Sequence, residues 1–241
     1  MRRLILPPIV LCFGLTILQS GAQSYRSDGS VRTQIEGIDI PTVADAPFTA
    51  KVVVTWDEPL IGGGRISRTY YTQVARDSQG RVRRETRSFV AAHSGAEPTL
   101  RTFSILDPVA GTRTRCTAAT MSCTTTNYEP RQSLGAPADE TFSGSNVKRV
   151  SLGERSIDAM RVEGIRETAT NSAGERGNSE LVVSNRELWY SPDLQMDLSV
   201  TRNNPQLGEV TLSVINLVRG QPDPSWLTVP SGYTVKDARG R

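Results

Sequence analysis

Histidine occurs once in the 241 residues, as His93, and that scarcity narrows the available chemistry at the outset. A two-histidine metal site such as HExxH needs a second imidazole that the chain does not have. His93 itself stands in a polar His-Ser-Gly run, where a solvated loop side chain is the simplest account. No GxSxG nucleophile elbow occurs. Gly62-Gly63-Gly64 lacks the Lys-Ser/Thr that would complete a phosphate-binding loop, and reads as a flexible turn. Asp57-Glu58 and Asp139-Glu140 are adjacent carboxylates, but a glycosidase sets two such groups across a cleft and nothing in the sequence pairs these. The reading is therefore of a non-enzyme, with no catalytic residues, no metal ligands and no cofactor, and with a hydrolase as the remaining alternative.

Long apolar runs are equally scarce. Beyond the first 22 residues no stretch is apolar enough or long enough to span a bilayer. Nowhere do apolar residues hold positions i, i+3, i+4 and i+7 for three turns, so a long amphipathic helix is not expected. No repeat of 20–50 residues is present. The start of the chain has its own pattern: Arg2-Arg3, an apolar stretch at 4–18 interrupted by Pro7-Pro8, then Ser20-Gly21-Ala22. This reads as a secretory signal over residues 1–22, cleaved after Ala22, which places the mature protein in the periplasm or outside the cell. Removing Arg2 and Arg3 takes Lys and Arg from 28 to 26 against 25 Asp and Glu, so the net charge falls from +3 to near +1. A basic footprint for nucleic acid thereby disappears.

Cys116 and Cys123 are the two cysteines left after the leader. Six residues separate them, which is not a CxxC redox spacing. An even pair in an oxidising compartment reads first as a disulfide, with two free thiols as the alternative. Two short strand arms around a turn at 118–121 would place them opposite one another.

What the sequence does contain is alternation. Residues 23–47 are polar and interrupted by Pro41 and Pro47, and read as an extended, partly mobile arm. From Phe48 onward Phe48, Ala50, Val52, Val54 and Trp56 alternate with more polar neighbours, a period-2 strand at the head of one β domain over 48–241. A hairpin follows, 66–75 and 81–89 around Asp77-Ser78-Gln79-Gly80, whose first and fourth residues suit a tight turn with a left-handed glycine. Further strands read at 100–107, 112–116, 123–127, 147–152, 160–169, 181–190, 194–202, 209–218 and 233–235, with a single helical turn at 225–227. Ser191-Pro192-Asp193 lies between two alternating runs and is expected to be a bend; as a reactive loop it would leave Ser191 without a base. Arg76, Arg81, Arg83, Arg84 and Arg87 are expected on the wetted edge of the sheet, and Trp56, Trp189 and Trp226 in packing.

Three C-terminal stretches carry a resemblance: ELWYSPDL at 187–194, LGEVTLSVINL at 207–217 and PDPSWLTVPSGYTV at 222–235. They are similar to the endings of a group of uncharacterised secreted bacterial β-proteins and, more distantly, of the lipoprotein-carrier (LolA/LolB-like) superfamily. Trp226, Pro230, Gly232 and Tyr233 occupy the tail, with Trp where Phe is usual, and DPVAGTR at 107–113 is similar to the mid-sheet hairpin. The resemblance implies a mainly β fold with little helix, a strongly curved antiparallel sheet forming an open half-barrel. The helices that lid the cavity in true carriers have no counterpart in this sequence.

A half-barrel would gather the alternating apolar residues on its concave face, and concave apolar surfaces are natural ligand sites. The expected function is binding of an apolar or lipid-like ligand, such as a lipid or lipoprotein acyl chain, with Trp56, Val54, Met196, Leu198 and Leu212 as ligand-binding residues. The alternative is a structural or interaction protein of the cell envelope, partnered by an envelope protein, whose core is filled and takes no small ligand.

Overall fold

The computed structural model describes residues 38–130, 147–175, 177–205 and 207–240. The leader expected over residues 1–22, the first part of the arm at 23–37, and Asp139-Glu140 lie outside the described residues. The strands are β1 (Phe48–Pro59), β2 (Arg65–Arg76), β3 (Val82–Arg87), β4 (Val90–Ala91), β5 (Leu100–Asp107), β6 (Thr112–Thr117), β7 (Ser122–Asn127), β8 (Val147–Ile157), β9 (Met160–Asn171), β10 (Val182–Ser191), β11 (Met196–Asn204), β12 (Gly208–Arg219) and β13 (Thr234–Asp237). One 3-10 turn, Pro224–Leu227, is the helical element among the described residues.

All thirteen strands belong to one sheet, ordered β13-β7-β6-β5-β3-β2-β1-β12-β11-β10-β9-β8, with β4 attached to β2. The terminal strands β13 and β8 are not paired with each other, so the sheet is curved but open. Neighbours run antiparallel except β13 with β7, which are parallel. That exception arises because the last strand returns across the sheet rather than by a hairpin.

The alternation seen in the sequence becomes two faces. In β1 the residues Phe48, Ala50, Val52 and Val54 are buried while those between them are not. The same parity holds in β11, where Met196, Leu198, Val200 and Arg202 are buried. No helical layer covers this face among the described residues, so its burial must come from the sheet curling over itself and from the chain before β1. Residues 38–47 carry no strand, and Ile38 and Ile40 join the main core with Val54, Tyr70, Leu198 and Leu212. A second, smaller core of Phe103, Ile105, Cys116 and Cys123 forms on the opposite face of β5–β7. Val229 and Tyr233 of the C-terminal segment pack against it, Tyr233 edge-to-face with Phe103 at 5.5 Å. Cys116 and Cys123 are register partners on β6 and β7 and form a disulfide.

Several expectations change in detail. Strand β8 runs to Ile157, past the expected end at 152, because a bulge at Gly153 (φ 78°) absorbs the break in alternation. Strand β11 starts at Met196, not 194, since Gln195 takes φ 53° inside the turn. The bend expected at Ser191-Pro192-Asp193 is present and extends to Gln195, with Ser191 buried and its hydroxyl accepting from the Leu194 amide.

The arginines are the larger correction. They do not form a wetted edge, because β3 is an inner strand between β2 and β5. Arg76 has 0% exposure and Arg83 is buried, its guanidinium 4.1 Å from the Phe103 ring. Arg87 and Arg83 both pair with Glu85, and Arg84 reaches Asp39 and the Ile38 carbonyl. Arg83 also donates to the Trp226 carbonyl and Arg87 to the Pro98 carbonyl, so with Arg76 and Arg84 they tie β2 and β3 to other segments, while Arg81 pairs with Asp77 inside the β2–β3 turn.

Candidate functional site: a concave apolar face with a charged rim

Register assembles the concave face in transverse rows. One row runs Tyr70, Val54, Leu212, Val200, Leu188 and Ile165, one residue from each of β2, β1, β12, β11, β10 and β9. All six are buried and, apart from Ile165, belong to the main core. The next row towards the β1–β2 hairpin runs Arg68, Trp56, Val210, Arg202, Arg186 and Glu167, ending on Arg149 in β8. The face thus passes from aliphatic to charged in one step of two residues along each strand.

The charged row is built as tightly as the apolar ones. Glu167 accepts from Arg149 Nε at 2.6 Å through one carboxylate oxygen and from Arg186 Nε at 2.7 Å through the other. Arg202 faces Arg186 across β10–β11, and both are more than nine-tenths buried. A cleft of about 80 Å³ opens beside them, lined also by Ser184, Asn185 and Asn204. Trp56 is half-buried; its indole N–H donates to the Leu207 carbonyl at 2.8 Å, and Arg68 lies 5.2 Å from its ring. Gly208 permits this turn, for at φ 84° a Cβ would stand 2.0 Å from the Asp57 carbonyl oxygen.

Of the five residues expected to bind a ligand, Val54 and Leu212 are direct register partners, and Leu198 and Met196 lie further along β11 on the same face. Those four are buried to 2% exposure or less, and Trp56 alone reaches solvent in part. The charged row was not anticipated, although its signal was in the sequence. Arg186 has the parity of Leu188 and Tyr190, and Arg202 that of Leu198 and Val200, so continuing the alternation places both inside.

The opposite end of the face is closed by the arm. Arg76 donates through Nε to the Ala46 carbonyl (2.9 Å), through one terminal nitrogen to Pro41 (2.9 Å) and through the other to Leu194 (2.8 Å). It thereby straps residues 41–46 to the β10–β11 turn. Burial lowers its pKa to about 10, so it stays a cation at neutral pH. Asp77 at the next position accepts from the Gln79 and Arg81 amides, and the Asp45 amide donates to the Ser78 carbonyl, fixing the arm to the β2–β3 turn.

No protein-family model and no curated protein matches the chain. Among solved structures it is similar to the MucA/MucB complex of Pseudomonas aeruginosa, at 12% identity and TM-score 0.41, covering 83% of this chain and 60% of that one. It is also similar to LprF of Mycobacterium bovis (14%, TM-score 0.30, 78% and 90% covered). A LolA superfamily protein of Nitrosomonas europaea is another (9%, TM-score 0.30, 83% and 98% covered). The chain spans about three fifths of the length of the first of these.

Proposed function

We propose that the protein is an exported, non-enzymatic binding protein that takes an apolar, lipid-like chain along the concave face, entering at the Trp56 row. One observation carries the reading. The face already holds an extended, strandless segment of the chain itself, residues 38–47, whose Ile38 and Ile40 are inserted in the same core as Val54, Leu198 and Leu212. A surface that receives one linear apolar segment has the shape and chemistry for another. Trp56, Val54, Met196, Leu198 and Leu212 would then contact the chain, with Trp56 at the mouth.

The second reading, a filled core working through its outer surfaces with an envelope partner, is favoured by the depth of that burial and by the three bonds of Arg76. Titration of a fluorescent fatty acid against the purified protein separates the two. Saturable binding at micromolar protein, weakened about tenfold in Trp56→Ala and strengthened in Ile40→Ala, is the expected result. No binding by either wild type or Ile40→Ala, with the fold intact by circular dichroism, would leave the filled core.

A further inference from the structure

The tip of the β1–β2 hairpin is the least protected apolar element among the described residues. Ile61 is fully exposed and Leu60 is 44% exposed. Hydrogen bonds from the Leu60 amide to Gly64 and from the Gly63 amide to Leu60 close the turn. Gly62, Gly63 and Gly64 all have φ between 86° and 97°, and a Cβ on any of them would meet nothing within 4 Å. The tip therefore projects clear of the rest of the molecule. At its base Asp57 accepts from Ser67 and Glu58 pairs with Arg68 at 2.8 Å, so both carboxylates are engaged. Arg65 is exposed and makes no ion pair among the described residues.

We propose that this tip docks on a lipid bilayer carrying anionic headgroups, with Leu60 and Ile61 entering the headgroup–acyl boundary and Arg65 at the level of the phosphates. Two aliphatic side chains at the end of a loop cost exposure in water, and among the described residues nothing packs over Ile61. Three consecutive glycines leave the loop no stiff shape for a protein pocket to read, whereas a fluid interface demands no shape match. A guanidinium one turn back from the apolar pair suits the layered chemistry of a membrane surface, apolar below and anionic above. Binding through so small a knob is shallow, reversible and sensitive to salt. The inference is independent of what fills the concave face, since the tip lies outside it.

The test is co-sedimentation of the purified protein with vesicles of phosphatidylcholine alone and of phosphatidylcholine with a quarter phosphatidylglycerol. The wild type should partition onto the mixed vesicles. Leu60→Asn combined with Ile61→Asn should lower that partition by roughly tenfold or more, and Arg65→Gln by about fivefold on mixed vesicles and little on neutral ones. These positions are exposed, so circular dichroism should show an unchanged fold. Absence of wild-type partition, or equal partition by the double variant, would overturn the proposal and turn attention to a protein partner. An Arg65→Gln variant indistinguishable from wild type on mixed vesicles would overturn the anionic-lipid assignment.

Discussion

Arg76 shows how much one side chain can decide. Its planar fork serves three carbonyls that belong to two separate segments, the arm and the β10–β11 turn. Replacing it with Gln leaves acceptors without a donor in a site closed to water, and each charge-assisted bond of this kind contributes about 1.5–3 kcal/mol. Arg76→Gln should therefore destabilise the protein by about 3 kcal/mol in urea denaturation. Arg76→Lys should recover only part of this, because an ammonium cannot present the same fork. A loss below about 1 kcal/mol for the Gln variant would show that the strap is not Arg76. Alternation with Tyr70 and Val74 places Arg76 on the buried face, but its partners lie at residues 41, 46 and 194, far along the chain.

Among the elements, the β6–β7 hairpin is the most self-contained. Register sets Cys116 against Cys123 directly, and the bridge closes a loop of sequence separation 7. Loop-closure entropy for so short a ring contributes about 2.5 kcal/mol. Cys116→Ala with Cys123→Ala should lower stability by about that much, read as a lower midpoint in denaturant. Because Phe103 and Tyr233 pack on the same small core, the loss should be accompanied by weaker docking of β13, visible as faster amide exchange at 234–237. This hairpin was legible from the sequence, since two cysteines, a turn and β-branched arms all lie within sixteen residues. The parallel attachment of β13 was not, because it depends on the 3-10 turn and residues 228–233 carrying the chain across the sheet.

For the whole molecule, openness sets the pattern of stability. Strands β1 and β12 sit mid-sheet with long ladders on both sides, whereas among the described residues β8 pairs only with β9. Native-state hydrogen exchange should accordingly rank amides of β1 and β12 slowest and those of β8 fastest among the long strands. Equal protection of β8 and β1 would mean that the edge is covered. Mainly-β character, the hairpins, the bend at Ser191-Pro192-Asp193 and the residues of the apolar face were all determined by the sequence itself, because a period of two fixes which side chains share a face wherever strands pair. Alternation is blind to whatever lies opposite that face. That Arg186, Arg202 and Glu167 form one row, that Ile38 and Ile40 join the main core and that Arg76, Arg83, Arg84 and Arg87 act as ties were decided only in three dimensions. Each depends on contacts between segments distant in sequence, and those exist once the sheet has curled.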